Sequence, residues 1–211
     1  MIIETDTTVF INNISLYFYW RQLMNALKHF KKILIHKKYV FFFARKLGIG
    51  WQGFWHDMSK FSPVEFWESV KYYQGTSSPI DAAKADMGYS MAWLHHKGHN
   101  KHHYEHWQDN FDKGGEPLCM PDKYVKEMIC DYLAAGRAYK GKDFNFNSEW
   151  IWWLNKTKNP IAMHPNNKLA VEEVLRWLNT RFGTQRINDL TKEDWKYFRR
   201  VVEDSINLYR G

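Results

Sequence analysis

Six histidines fall within sixteen residues of the stretch AWLHHKGHNKHHYEHW, at His95, His96, His99, His102, His103 and His106. The rest of the chain holds four more, at His29, His36, His56 and His164. Neutral imidazole is a ligand for Zn, Mn, Fe or Ni, particularly when carboxylates complete the set. A structural zinc site would instead favour thiolates. Carboxylates are available at Asp57, directly after His56, and at Asp131.

Each of these residues must be positioned by an element. Residues 13–47 follow helical period, read as two helices with a bend near the basic run Lys31–Lys38. Ile33, His36, Val40, Phe43 and Leu47 recur at steps of three and four, which puts His36 in the middle of an apolar stripe. A polar group there needs a partner, because an unpaired buried charge costs several kcal/mol. Ser62-Pro63-Val64-Glu65 has the N-cap serine, first-turn proline and third-position glutamate of a capping box, opening a helix to about Tyr73. Further helices are expected over Ile80–His96, Asn100–Asn110, Asp122–Tyr139, 166–182 and 192–208, the last capped by Thr191. In the Asp122–Tyr139 helix, Tyr124, Met128, Asp131 and Ala135 share a face, so a carboxylate again lies on an apolar stripe. Strand-like alternation is scarce. The expected fold is all-α: a single domain over residues 1–211, with a metal-binding core at about 30–140 and a C-terminal helical extension at 141–211.

Composition narrows the function classes. Hydrophobic residues make up 45% and aromatics 18%, with 11 tryptophans, which argues against disorder. The net charge of +7 favours anionic partners. Cys119 and Cys130 form no CxxC pair and are expected to be reduced, buried thiols. No apolar run reaches the 18 residues of a membrane span, and Glu4 and Asp6 near the start do not suit a signal peptide. A cytoplasmic protein is therefore expected. The lysines of KHFKKILIHKK read as a solvated helix face more readily than as a nucleic-acid patch, and EWIWWL as core or a lid.

In chain order the polar set is His36, His56-Asp57, the histidine cluster and Asp131. That order resembles the HD-domain superfamily of metal-dependent phosphohydrolases, whose helical core binds metal through H…HD…D. His56-Asp57-Met58-Ser59-Lys60 is also similar to the HDxGK of HD-GYP phosphodiesterases, with Ser59 in place of Gly and no GYP tripeptide after the histidines. HDMSKFSPVEFW, AWLHHKGHNKHH and EMICDYLAAGRAY together look like an uncharacterised family from phages and Firmicutes, a match that supplies no activity.

The superfamily resemblance implies one or two divalent ions (Mn, Fe, Ni or Zn) held by His36, His56, Asp57, Asp131 and one member of each pair His95/His96 and His102/His103. His95 and His102 are slightly favoured, although the pattern does not decide within either pair. Asp57 would bridge two metals, and Lys60 would neutralise charge on a phosphoryl oxygen. Lys97, Asn100 and Lys101 would border the substrate. His99 and His106 are expected outside the coordination sphere, and His29 and His164 to be structural or on the surface. Arg137 is the alternative partner for Asp131. The implied activity is hydrolysis of a nucleotide or cyclic oligonucleotide, and in a phage setting a signalling nucleotide of host defence. Two rivals remain: a di-iron oxygenase built on the same ligands, and a basic nucleic-acid or protein-binding module that is not an enzyme.

Overall fold

The computed structural model describes the backbone of residues 4–109, 112 and 114–210, and side chains from Leu16 onward. Among the described residues the architecture is all-α, with no strand beyond an isolated bridge between Gln108 and Pro117. The helices are α1 (Glu4–Lys46), α2 (Gly50–Trp55), α3 (Pro63–Lys71), α4 (Pro79–Met87), α5 (Met91–His99), α6 (Asp122–Lys140), α7 (Phe146–Thr157), α8 (Pro165–Phe182) and α9 (Lys192–Leu208). No described helix is long and apolar enough to cross a membrane.

Three elements differ from the sequence expectation. α1 is one uninterrupted helix rather than two, since neither glycine nor proline occurs before Gly48 to stop it. The helix expected over Ile80–His96 is divided at Gly88, which takes the left-handed conformation (φ 79°) that closes α4. Of the helix expected over Asn100–Asn110, residues 100–109 are described and do not form an α-helix. They form turns and a short 3-10 segment at Tyr104–His106, and Trp107 Nε1 donates to the Lys101 carbonyl (2.7 Å).

Backbone contacts divide the chain into two compact units, Met1–Leu34 with Lys60–His95, and Ile35–Ser59 with His96–Gly211. In the first, His29 is buried against Phe66 and Tyr73, with ring centroids 5.5 and 5.8 Å away. Burial and the charge of Lys60 lower its pKa to about 4, so it is a neutral core histidine. Ser62 caps α3 by accepting from the Glu65 N–H, while the Glu65 carboxylate accepts from His95 Nδ1 (2.7 Å). Glu68 places its carboxylate on the backbone N–H groups of Met91 and Ala92, where the positive end of the α5 dipole stabilises it.

The second unit carries a large core. Val40 and Phe43 from α1 and Leu47 just beyond it pack in one cluster with Met128, Ile129 and Leu133 of α6, Trp153 of α7, Val174 and Leu178 of α8, and Trp195 and Phe198 of α9. The segment 141–211 therefore shares its hydrophobic core with α6. Thr191 and Asp194 form a reciprocal capping box that starts α9. Within EWIWWL, Glu149 and Trp153 are buried and Trp152 packs edge-on against Tyr132, while Ile151 and Leu154 on the other face of α7 are exposed, so only one side of the stretch is core. Cys130 is a buried free thiol. Cys119 is free but exposed, because it lies in the irregular segment before α6.

Candidate metal centre

All the groups that converge for chemistry belong to the second unit. His36 comes from the apolar stripe of α1. His56 ends α2, and Asp57 follows it at φ 55°, the one non-glycine residue at positive φ among those described. A left-handed backbone costs roughly 1–2 kcal/mol per residue, least for Asp and Asn. Here it turns consecutive side chains into the same interior. Asp131 and Glu127, one helical turn apart on α6, face that interior as well.

Two sets of ligand atoms form around Asp57. In the first, Asp57 Oδ2 lies 3.1 Å from His56 Nε2 and 3.6 Å from His36 Nε2. Asp131 Oδ1 lies 3.0 Å from His36 Nε2 and 3.4 Å from His56 Nε2, and the two imidazole nitrogens are 3.3 Å apart. In the second, Asp57 Oδ1 is 3.4 Å from both His96 Nε2 and His102 Nε2, and His96 Nε2 is 2.9 Å from His103 Nε2. Each set offers four residues, and Asp57 is common to both, with one oxygen towards each.

These separations are compatible with ligands that share one ion. Ligands about 2.1 Å from one ion are about 3.0 Å apart at 90° and about 3.4 Å apart at the tetrahedral angle. Most of the observed distances fall in that interval. His102 Nε2 is fully buried and has no hydrogen-bond partner, a position native proteins rarely tolerate unless an ion or water satisfies it. The donor set, imidazole nitrogen with carboxylate oxygen, suits the borderline divalent metals.

Electrostatics agree. Burial depresses the pKa of His103 well below its ordinary value, aided by neighbouring His102 and His96, so its lone pair is free of a proton. Burial and nearby His56 also lower His102. Burial opposes charge on Asp131, yet His36 and His56 hold it well below the usual carboxylate range. Burial likewise opposes charge on His56, but Asp57, Asp131 and Glu127 outweigh it and raise its pKa well above normal. That proton must leave when a cation binds.

The outer contacts orient the ligands. Glu127 Oε1 accepts from His56 Nδ1 (2.9 Å) and stands 3.5 Å from His102 Nδ1, so one carboxylate directs a histidine of each set. Gln52 donates to its other oxygen. Such carboxylate–histidine pairs fix the tautomer that leaves Nε2 for metal. Desolvation opposes ionisation of Glu127, but the two histidines still hold its pKa at about 2. His96 has a separate support. Its Nδ1 faces Ser59 Oγ at 3.3 Å, and Asn100 Nδ2 donates to that oxygen (2.7 Å) and to the His96 carbonyl (2.8 Å).

The fold thus brings together His36, His56, Asp57, His96, His102, His103 and Asp131. From the pair His95/His96 it takes His96. His95, slightly favoured by sequence, lies in the first unit on Glu65 and is in none of the candidate ligand groups. From the pair His102/His103 it takes both, because the turn after Asn100 lets adjacent residues face one interior. Asn100 is buried on His96 and Ser59 instead of lining a substrate surface. Lys101 is exposed, Lys97 is half-buried, and Lys60 lies in the first unit. His99 is exposed, and His106 Nδ1 meets the Lys97 carbonyl at 3.1 Å. His164 caps α8. Arg137 stacks over Tyr39 (5.0 Å), while His36 and His56 meet Asp131. Glu127 and Ser59 were not expected as site residues. Glu127 lies four residues before Asp131, a spacing that signals a shared helix face. Ser59 carried no comparable signal.

No curated protein and no solved structure matches the chain. Residues 25–177, more than half of the sequence and the span that contains every one of these candidate ligands, match the model of a family of unknown function, DUF5662, and the chain belongs to that family.

Proposed function

We propose that this protein is a metal-dependent phosphohydrolase or phosphodiesterase acting on a nucleotide or cyclic oligonucleotide. The observation that carries the reading is Asp57, whose two carboxylate oxygens face two separate histidine-containing sets at 3.1–3.6 Å. A carboxylate shared between two such sets suits a paired-metal phosphoester site. The H…HD…D order of His36, His56-Asp57 and Asp131 supports the same class, and the net charge of +7 favours a phosphorylated substrate. Fold class alone does not assign an activity.

When bound, divalent metals in these sets would supply an activated water and polarise a phosphoryl oxygen. The chain's own residues have distinct tasks. Asp57 holds both sets in register from its strained backbone. His36 and Asp131 close one set; His96, His102 and His103 close the other. Glu127 keeps the Nδ1 proton of His56 away from the ligand position, and Ser59, held by Asn100, fixes the ring orientation of His96. Burial of His56, Asp57, His96 and His102 raises the strength of the charge interactions among them.

The test begins with elemental analysis of protein purified without chelator, wild type beside Asp57→Ala. Phosphate release from nucleoside phosphates and cyclic mono- and dinucleotides is then assayed with the metal found. About two equivalents of metal, with hydrolysis lost both in the variant and on chelation, is the expected result. Hydrolysis that survives both treatments overturns it. So does an iron-loaded protein that consumes oxygen and cleaves no ester.

A further inference from the structure

The first unit leaves an ordered apolar stripe uncovered. Leu16, Trp20, Leu23, Leu27, Phe30 and Leu34 follow one another along α1 at steps of four, three, four, three and four. All six are 44–62% exposed. The core-facing residues of the same segment, His29 and Ile33, lie on another face. A 3.5-residue apolar repeat on a single helix is the seam that pairs helices, with alternate positions inserting as knobs between residues of the facing helix. Scattered exposed apolar residues are common on soluble proteins, but six consecutive seam positions, all apolar and all exposed, are not scatter.

We propose that α1 docks along this seam against α1 of a second copy of the chain, in antiparallel orientation. Area is the first argument. Taking about 150–250 Å² for a fully exposed aromatic side chain and a value near the lower end for leucine, the six residues at roughly half exposure present on the order of 600 Å². Tyr19 at 82% and Trp67 of α3 at 57% exposure line a groove of about 500 Å³ beside the seam with Leu23 and Ala26. With them the surface reaches about 900 Å² per copy, against the roughly 800 Å² per partner of a standard stable interface. A patch of this size also exceeds the largest apolar patch of a typical monomer, about 300–600 Å².

Charge decides the orientation. No acidic residue occurs between Thr7 and His56. Within the seam segment Arg21 is the single cation before Leu27, while Lys28, Lys31 and Lys32 crowd the later half. A parallel pair stacks these lysines on their counterparts. An antiparallel pair centred near Asn25 sets them against the less charged first half, opposes the helix dipoles favourably, and brings Trp20 of one copy to Phe30 of the other.

The test uses the full chain in sedimentation velocity or light scattering. Wild type is expected at twice the 25.4 kDa chain mass at micromolar concentration. Leu23→Glu/Leu27→Glu is expected at the single-chain mass, with unchanged helical circular dichroism and metal content. Trp20→Ala/Phe30→Ala, a gentler change, is expected to weaken the dimer at least tenfold. For orientation, Trp20→Cys and Phe30→Cys proteins in a Cys119→Ser background are mixed under oxidation. Cross-links should join position 20 to position 30 rather than like to like, since like positions would lie about 15 Å apart along the axis. A wild-type monomer at hundreds of micromolar overturns the proposal. A dimer that ignores the Glu substitutions does the same. A monomer that binds anionic vesicles through Leu23 and Leu27 assigns the stripe to a membrane surface and also overturns it. Like-to-like cross-links overturn the antiparallel arrangement.

Discussion

Replacing Glu127 with glutamine tests the metal centre without touching a ligand. The carboxylate accepts on both sides: Oε1 from His56 Nδ1 at 2.9 Å, with His102 Nδ1 3.5 Å away, and Oε2 from Gln52. An amide cannot do this. One orientation sets its NH2 against the histidine Nδ1–H groups, the other against the Gln52 amide, so one donor is always left facing a donor. A hydrogen bond to a charged group contributes about 1.5–3 kcal/mol. Loss of an outer-sphere partner usually costs 10–100-fold in metal affinity, or about 1.4–2.7 kcal/mol at 25 °C. Glu127 approaches one histidine of each set, so Glu127→Gln should weaken both metals by that factor. Competition against a chelator of known affinity, read metal by metal, measures it. Circular dichroism and the thermal midpoint of the metal-free variant control for unfolding. Unchanged affinity at both positions would refute the orienting role of Glu127. Loss at one position alone would mean that its reach to His102 at 3.5 Å carries no energy.

Two other perturbations separate neighbouring residues that the sequence could not. His96→Ala should remove about one metal equivalent and His36→Ala the other, whereas His95→Ala should leave both in place; elemental analysis of the three proteins distinguishes them. Glu149 is buried beside Lys140 (3.5 Å), and burial lifts its pKa to about 7 against the lowering effect of that lysine. Because the folded pKa is raised above the unfolded one, the stabilisation it brings is fully present below about pH 4.5 and is lost as pH rises towards 7. The full shift corresponds to about 3 kcal/mol, so Glu149→Gln should flatten the pH dependence of denaturant unfolding between pH 4.5 and 7. A slope equal to that of wild type would show that Glu149 is ionised at no cost.

Much of the site could be read along the chain because a helix makes spacing into geometry. His36 between Ile33 and Val40, and Asp131 three residues after Met128, are polar groups on apolar stripes, and burial forces such groups to find partners. The helical class follows from the same periodicity. So do the starts of α3 and α9, where serine or threonine at the N-cap satisfies free backbone N–H groups. Errors came where a choice depended on what interrupts a helix. Gly88 in a left-handed turn ended one early, and the absence of any glycine or proline kept α1 whole.

Ligand type, chain order and helical scaffold were thus determined by sequence alone, since residue chemistry and period are local properties. Only tertiary structure decided between His95 and His96. Neighbours on a helix point about 100° apart, and which of the two directions meets Asp57 depends on how distant segments pack. The same holds for His102 and His103, admitted together by an irregular turn, and for Glu127, seventy-one residues from the His56 it orients. Those pairings cost chain entropy to form and leave no trace in spacing; the packed core of the second unit is what makes them favourable.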